Sequence, residues 1–197
     1  MGGKIRIELG RRSINIMFVD RKVNLKIFPK KFYINARREF ELLQKLSKEE
    51  INVPKPVAII DAGSSIILAR EYIKGVYFHD AIRHYPPEEL KKLILNLIKN
   101  LRKIEDMGIF IPEFSTLYKN VVVDGCEPYI LDLERGGYSG KPIIPQFLGL
   151  LIRLCNNNKL KEKLAEIMEI EKLKDAARRY KETRDLEVVL DLFKSMD

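Results

Sequence analysis

The sequence predicts an α+β chain in two parts: a five-stranded antiparallel sheet carrying one helix, then a mainly helical part. Three observations point there. Residues 4–28 run in short polar–apolar alternations separated by turn residues, the pattern of half-buried strands. Near residue 75 the period changes, and apolar side chains then recur every three or four positions over long stretches. With 46% hydrophobic and 32% charged residues in 197, the chain has the apolar mass for a core, which excludes disorder as its main state. The length suits one domain, or two small lobes sharing a cleft, with residues 1–73 as the β-rich lobe and 74–197 as the helical one.

Lys4 to Leu9 alternates as a first strand, Gly10 to Ser13 turns, and Ile14 to Val19 reads as a second strand. After Asp20–Lys22, Val23 to Phe28 forms a third, closed by Pro29. Short turns between three strands imply an antiparallel meander. A helix follows from about Ile34 to Leu46, with Ala36, Phe40, Leu43 and Leu46 as its apolar stripe. Asn52 to Pro56 is a rigid linker. Val57–Ile60 and Ile66–Arg70 make a hairpin around Asp61–Ser65. After Gly75 comes a short helix ending before Pro86. A long one then starts at Pro87 or Glu88, where proline and acidic residues suit a helix N-terminus, and runs to about Met107. Gly108 stops it. Ile109 to Asn120 reads as a loop, Val121–Val123 and Tyr129–Leu131 as a small hairpin, and the chain beyond Pro145 as three or four helices.

No apolar run approaches the ~20 residues of a membrane-spanning helix, and Met1 to Arg12 lacks the apolar stretch of a secretion signal. A soluble, cytoplasmic protein without a membrane partner is expected. Cys126 and Cys155 are too few and too far apart for a disulfide framework or metal spacing, and His79 and His84 read as surface histidines rather than the alternative, a metal site. Two glutamines against abundant Lys, Glu and Ile fit a thermophile's composition. The formal charge of +8 favours polyanions, so an acidic or RNA partner is one expectation. The basic pairs are spread along the chain, however, as solvated helix faces and turn ends are, and no base-stacking aromatic motif accompanies them.

The chemistry concentrates on the small hairpin. Asn120 precedes one of its apolar runs and Asp132 follows the other, so pairing should bring them to neighbouring strand ends. An amide oxygen beside a carboxylate is a hard-oxygen site of the kind Mg²⁺ takes when phosphates supply further ligands. Glu113, in the preceding loop, offers another carboxyl.

The order of these groups resembles the protein-kinase-like superfamily, in which a strand lysine, a helix glutamate, a catalytic loop with Asp and Asn, and a metal-binding Asp follow one another. Val23-Asn24-Leu25-Lys26 resembles the V-A-I-K strand. Arg38-Glu39-Phe40-Glu41-Leu42-Leu43 resembles the helix with its glutamate. Ile67 to Gly75 resembles the hinge between lobes, and Leu131-Asp132-Leu133-Glu134 the metal motif in a D-F-E form. The resemblance spans about residues 4–140. Its nearest members are small atypical archaeal serine/threonine kinases, with RIO and lipopolysaccharide kinases further off. It implies a bilobal kinase-like fold, ATP and Mg²⁺ as cofactors, and transfer of the γ-phosphoryl to a hydroxyl-bearing acceptor, protein or small molecule. Lys26 would bind the α- and β-phosphates and Glu39 would hold it. Glu71 would meet adenine through main-chain groups. Asp132 and Asn120 would hold metal and serve the transfer, with Glu113 accepting the acceptor's proton.

The chain departs from the family pattern in three places. The glycine-rich loop shrinks to Gly10-Arg11-Arg12-Ser13. Ser115 stands where the H-R-D aspartate belongs, which leaves Glu113, seven positions before Asn120, as the substitute. Glu134 replaces the glycine of the metal motif, as a further ligand or a partner of Arg135. Blander readings stand beside the functional ones: Lys26 as an edge-strand lysine, Asn120 and Asp132 as turn caps, Glu113 as a partner of Lys119 or Arg135. Taken whole, the order implies a phosphotransferase. The alternative is a pseudokinase that keeps nucleotide binding or an RNA- or ribosome-associated role.

Overall fold

A computed structural model of the chain describes residues 4–112, 114, 120–157 and 160–194. The first part is a sheet of β1 (Ile5–Leu9), β2 (Ile14–Phe18), β3 (Val23–Pro29), β4 (Pro56–Asp61) and β5 (Ser65–Glu71), with α1 (Tyr33–Lys48) between β3 and β4. The strand order is β1-β2-β3-β5-β4 and every neighbour is antiparallel. The short turns dictate the meander β1-β2-β3. Gly10 N–H closes the first on Ser13 O at 2.8 Å, and Lys22 closes the second in the left-handed region at φ 52°.

Period-two alternation on β3 and β5 sets one face against α1. Phe28, Ile66 and Leu68 are buried there with Ala36, Leu43 and Leu46 of the helix. Burying each large aliphatic side chain contributes about 1.5–3 kcal/mol, so this patch anchors α1 to the sheet. Glu39 lies in the same stripe, with no exposure. The helix period thus carries a carboxylate into the core, where it must find partners. Lys26 is on β3, the middle strand, and 3% exposed, which removes the edge-strand reading.

The second part follows the predicted helices closely. It comprises β6 (Val76–Tyr77), α2 (Phe78–His84), α3 (Pro87–Asp106), β7 (Ile109–Phe110), β8 (Val121–Asp124), β9 (Glu127–Ile130), β10 (Gly137–Tyr138), α4 (Ile144–Cys155), α5 (Lys161–Ala165), α6 (Ile170–Thr183) and α7 (Glu187–Lys194). Leu90, Leu93, Ile94, Leu97, Ile98, Leu101 and Ile104 make the buried face of α3. Glu105, at its last turn, caps α4 from outside: its Oε1 accepts Ile144 N–H at 2.6 Å as well as Ile143 N–H, and its Oε2 accepts Tyr180 O–H at 2.6 Å. One carboxylate therefore ties α3, α4 and α6 together.

Three differences from the sequence reading matter. β7 opens what reads as loop and pairs with β10, while β6 adds a third strand to the β8-β9 hairpin. Two-residue strands are too short to show a period. β9 starts at Glu127, two residues before the apolar run, because Pro128 sits on an edge of the three-stranded sheet, where its missing N–H costs nothing. Gly75 passes so close to β8 that an added Cβ would lie 2.2 Å from Val123 O. Cys126 and Cys155 are free thiols. No helix among the described residues is long and apolar enough to cross a membrane.

Candidate active site

A cleft of about 720 Å³ lies between the sheet and the helical part. Its walls include Lys26, Glu71, Asn120, Asp132 and Glu134, with the Gly10–Ser13 turn at its mouth. Register explains the convergence. Asn24 and Lys26 point to the inner face of β3, opposite Arg70 and Leu68 of β5. From the other side, the β8-β9 hairpin delivers Asn120 and Asp132 to adjacent strand ends, and Leu131 N–H donates to Asn120 O at 2.7 Å.

The Lys26 ammonium is the hub. Its Nζ is 2.7 Å from Glu39 Oε2, 2.7 Å from Asp132 Oδ1 and 3.3 Å from Glu134 Oε2. Glu39 is pinned from its other oxygen by Arg70, at 2.6 Å. Glu134 receives Arg12 of the β1-β2 turn at 2.8 Å, so that turn is tied across the cleft. Three cations thus face three carboxylates, and the cluster is neutral. Burial opposes a charge on Lys26, but Glu39, Asp132 and Glu134 outweigh it and raise its pKa above the usual lysine range. Burial likewise pushes the Asp132 carboxyl up. Attraction to Lys26 and the hydrogen bond from it prevail, helped by Arg70 and Arg12, and its pKa falls below the ordinary aspartate value. Both groups stay charged at neutral pH.

Asp132 also has a left-handed backbone, φ 59°, which aspartate tolerates better than most residues but which still carries a cost. The turn that follows holds it there. Gly136 N–H donates to Leu133 O at 2.9 Å, and Asn35 Nδ2 of α1 donates to Glu134 O at 3.2 Å. A side chain at Gly136 would come within 2.7 Å of Leu42 Cδ1. The turn from Asp132 to Gly136 is therefore braced against the helix that carries Glu39.

The oxygens of Glu39, Asp132 and Glu134 lie within 4.8 Å of one another, the carboxylate cluster of this kind among the described residues. Both Glu39 oxygens are already taken by Lys26 and Arg70, which makes Glu39 a structural member of the cluster. Glu134 is engaged likewise, by Arg12 and Lys26, which leaves Asp132, whose side chain is 38% exposed, and Asn120 on the cleft wall as hard-oxygen donors, a set that fits Mg²⁺ when phosphates supply further ligands. His79 and His84 lie outside the cluster. Glu71 lines the cleft, but its amide donates to Lys55 O at 2.8 Å. Glu113, Ser115 and Lys119 lie outside the described residues.

Arg70 and Arg12 are the site members that sequence reasoning missed. For Arg70 a signal existed: it continues the period-two face of Ile66 and Leu68, so an arginine stands where the core continues. Arg12 gave none, because a turn arginine is ordinarily solvated.

Residues 18–136, more than half of the chain, match the RIO1 family, described as the RIO domain. No curated protein matches the chain. Among solved structures, the co-crystal structure of WbdD and the kinase inhibitor LY294002 superposes over 100% of this chain with a TM-score of 0.70, at 15% identity. The chain spans 45% of that protein's length. The likeness is one of fold, and the fold is the bilobal, kinase-like one that the order of motifs predicts.

Proposed function

We propose that this chain, which belongs to the RIO domain family, is an ATP-dependent phosphotransferase that moves the γ-phosphoryl of Mg-ATP to a hydroxyl acceptor, a protein side chain or a small molecule. One observation carries the proposal: a buried lysine lies 2.7 Å from both a core glutamate and a cleft aspartate, in a cleft with room for a nucleotide. Kinase-type chemistry is mostly positioning and charge stabilisation, and each group here has a part in that. Lys26 supplies a point charge to the α- and β-phosphates. Glu39, fixed by Arg70, keeps Lys26 aimed. Asp132 and Asn120 would hold Mg²⁺, with Glu134 beside them, and the metal would supply charge neutralisation to the phosphates. Glu71 would meet adenine through main-chain groups, its amide already donating to Lys55 O. Glu113 accepts the proton of the attacking hydroxyl, an assignment that rests on sequence order alone.

The neutral cluster suits this work. When a triphosphate takes Lys26, Asp132 loses its cation and is released to bind metal, so nucleotide and metal favour each other's binding. Turnover measured as ADP release from Mg-ATP tests the proposal. Asp132→Asn is expected to lose about 100-fold or more in rate, and equal turnover by variant and wild type contradicts it. Glu113→Gln separates the base: full activity there, with loss at Asp132, removes Glu113 alone.

A second reading, nucleotide binding without transfer, is favoured by Ser115 at the usual position of the catalytic aspartate. It predicts that Mg-ATP at ~100 times its Kd stabilises the protein by about 2.7 kcal/mol while no ADP forms.

A further inference from the structure

β1 is an edge of the sheet, and its free side is unusual. Ile5, Ile7 and Leu9 are 55%, 64% and 81% exposed and stand on one face, while Arg6 and Glu8 stand on the other. An exposed apolar edge strand is a template for another strand, and proteins normally blunt such edges. Here the flanking hydrogen bonds give the phase of the open edge. Val19 N–H donates to Lys4 O at 3.0 Å and Gly10 N–H donates to Ser13 O at 2.8 Å. Lys4, Arg6, Glu8 and Gly10 therefore spend their main-chain groups on β2, and those of Ile5, Ile7 and Leu9 face outwards.

We propose that β1 pairs antiparallel with β1 of a second copy of this chain, about a two-fold axis at Ile7, joining the two sheets edge to edge. The strand is self-complementary in that register. Ile7 meets Ile7 and Ile5 meets Leu9 as hydrogen-bonded pairs, made by the main-chain groups that face outwards. On the apolar face these side chains cover one another. On the other face Arg6 lies opposite the second copy's Glu8, and Glu8 opposite its Arg6, in the close non-hydrogen-bonded positions where opposite charges attract. A slip of two residues either way sets Arg6 against Arg6 or Glu8 against Glu8. A slip of one sets outward main-chain groups against spent ones and apolar side chains against charged ones. Charge and phase thus select one register and one partner, as an isologous interface requires. The present contacts of Arg6 and Glu8, to the Tyr72 hydroxyl at 3.5 Å and the Tyr77 hydroxyl at 3.0 Å, are exposed and give way easily. The inference does not rest on the proposed activity, although Arg6 and Glu8 also line the cleft.

Sedimentation velocity of the full chain over a concentration series tests it. The wild type is expected to dimerise. R6E and E8R, each of which sets like charges opposite one another at both symmetric positions, are expected to weaken the dimer by about tenfold or more. An equimolar mixture of R6E and E8R restores attraction in the heterodimer, as does the double variant R6E/E8R in the homodimer. I7P removes an outward N–H that β2 does not use, so it abolishes the dimer while the sheet stays intact, and it decides the matter should a charge variant not fold. A wild type that remains monomeric throughout the series, single variants that dimerise as tightly as wild type, or a mixture that stays monomeric overturns the proposal.

Discussion

Glu39→Gln is the sharpest perturbation of the charge cluster. The substitution keeps the size of the side chain and removes one charge, leaving three cations against two carboxylates. The glutamate side chain has no exposure, and its partners Lys26 and Arg70 are 4% and 5% exposed, so water does not screen the loss. Removing one partner of a buried pair costs about 3–5 kcal/mol, because the remaining charge stays buried without compensation. For a domain of this size ~1 kcal/mol lowers Tm by about 2–4 °C, so a fall of about 6–20 °C is expected. Chemical denaturation with an unchanged m-value, supported by calorimetry, reads it directly. Glu39→Gln combined with Arg70→Met rebalances the cluster at two cations and two carboxylates and should recover more than half of the loss. A single variant within about 1 kcal/mol of wild type would show that the pair behaves as a surface ion pair and would refute the reasoning.

Two further outcomes follow from the same structure. Lys26 has a raised folded pKa, so its contribution is whole below the unfolded lysine value of ~10.4 and fades as pH rises through the folded value. The stability gap between wild type and Lys26→Met should therefore hold steady up to about pH 10 and narrow above it, by denaturation at stepped pH; a gap that widens contradicts the raised pKa. Glu105→Ala strips the cap from α4 and the acceptor from Tyr180, whose own pKa burial and that hydrogen bond push up to about 12. It should cost about 2–4 kcal/mol, against clearly less for Glu105→Gln, which keeps an acceptor oxygen; equal effects of the two variants argue against the cap.

Much of the fold was legible because its elements are long enough to show a period. The strands to Phe28, the stripe of α1 and the apolar face of α3 each repeat several times, and tertiary packing agrees with them. What stayed hidden was short or collective. β6, β7 and β10 exist through their partners. The start of β9 was masked by Pro128, a residue that argues against a strand except on an edge. At the site, Lys26, Glu39, Asn120 and Asp132 could be named because their order resembles a kinase-like series; the structure sets Lys26, Asn120 and Asp132 on one cleft and buries Glu39 behind Lys26. Arg70, Arg12 and the pairing of Glu134 were not foreseen in those roles. Their partners lie 31 and 122 residues away, and no local pattern encodes a contact at such separation.

The central claim is that Lys26 and Asp132 meet one triphosphate in the cleft. A crystal structure with a non-hydrolysable ATP analogue and Mg²⁺ tests it most directly. The account predicts phosphate oxygens on Lys26 Nζ, metal on Asp132, and the present 2.7 Å contact between the two side chains opened beyond ion-pair distance. An analogue bound elsewhere, with that contact intact and the cleft without nucleotide, contradicts it.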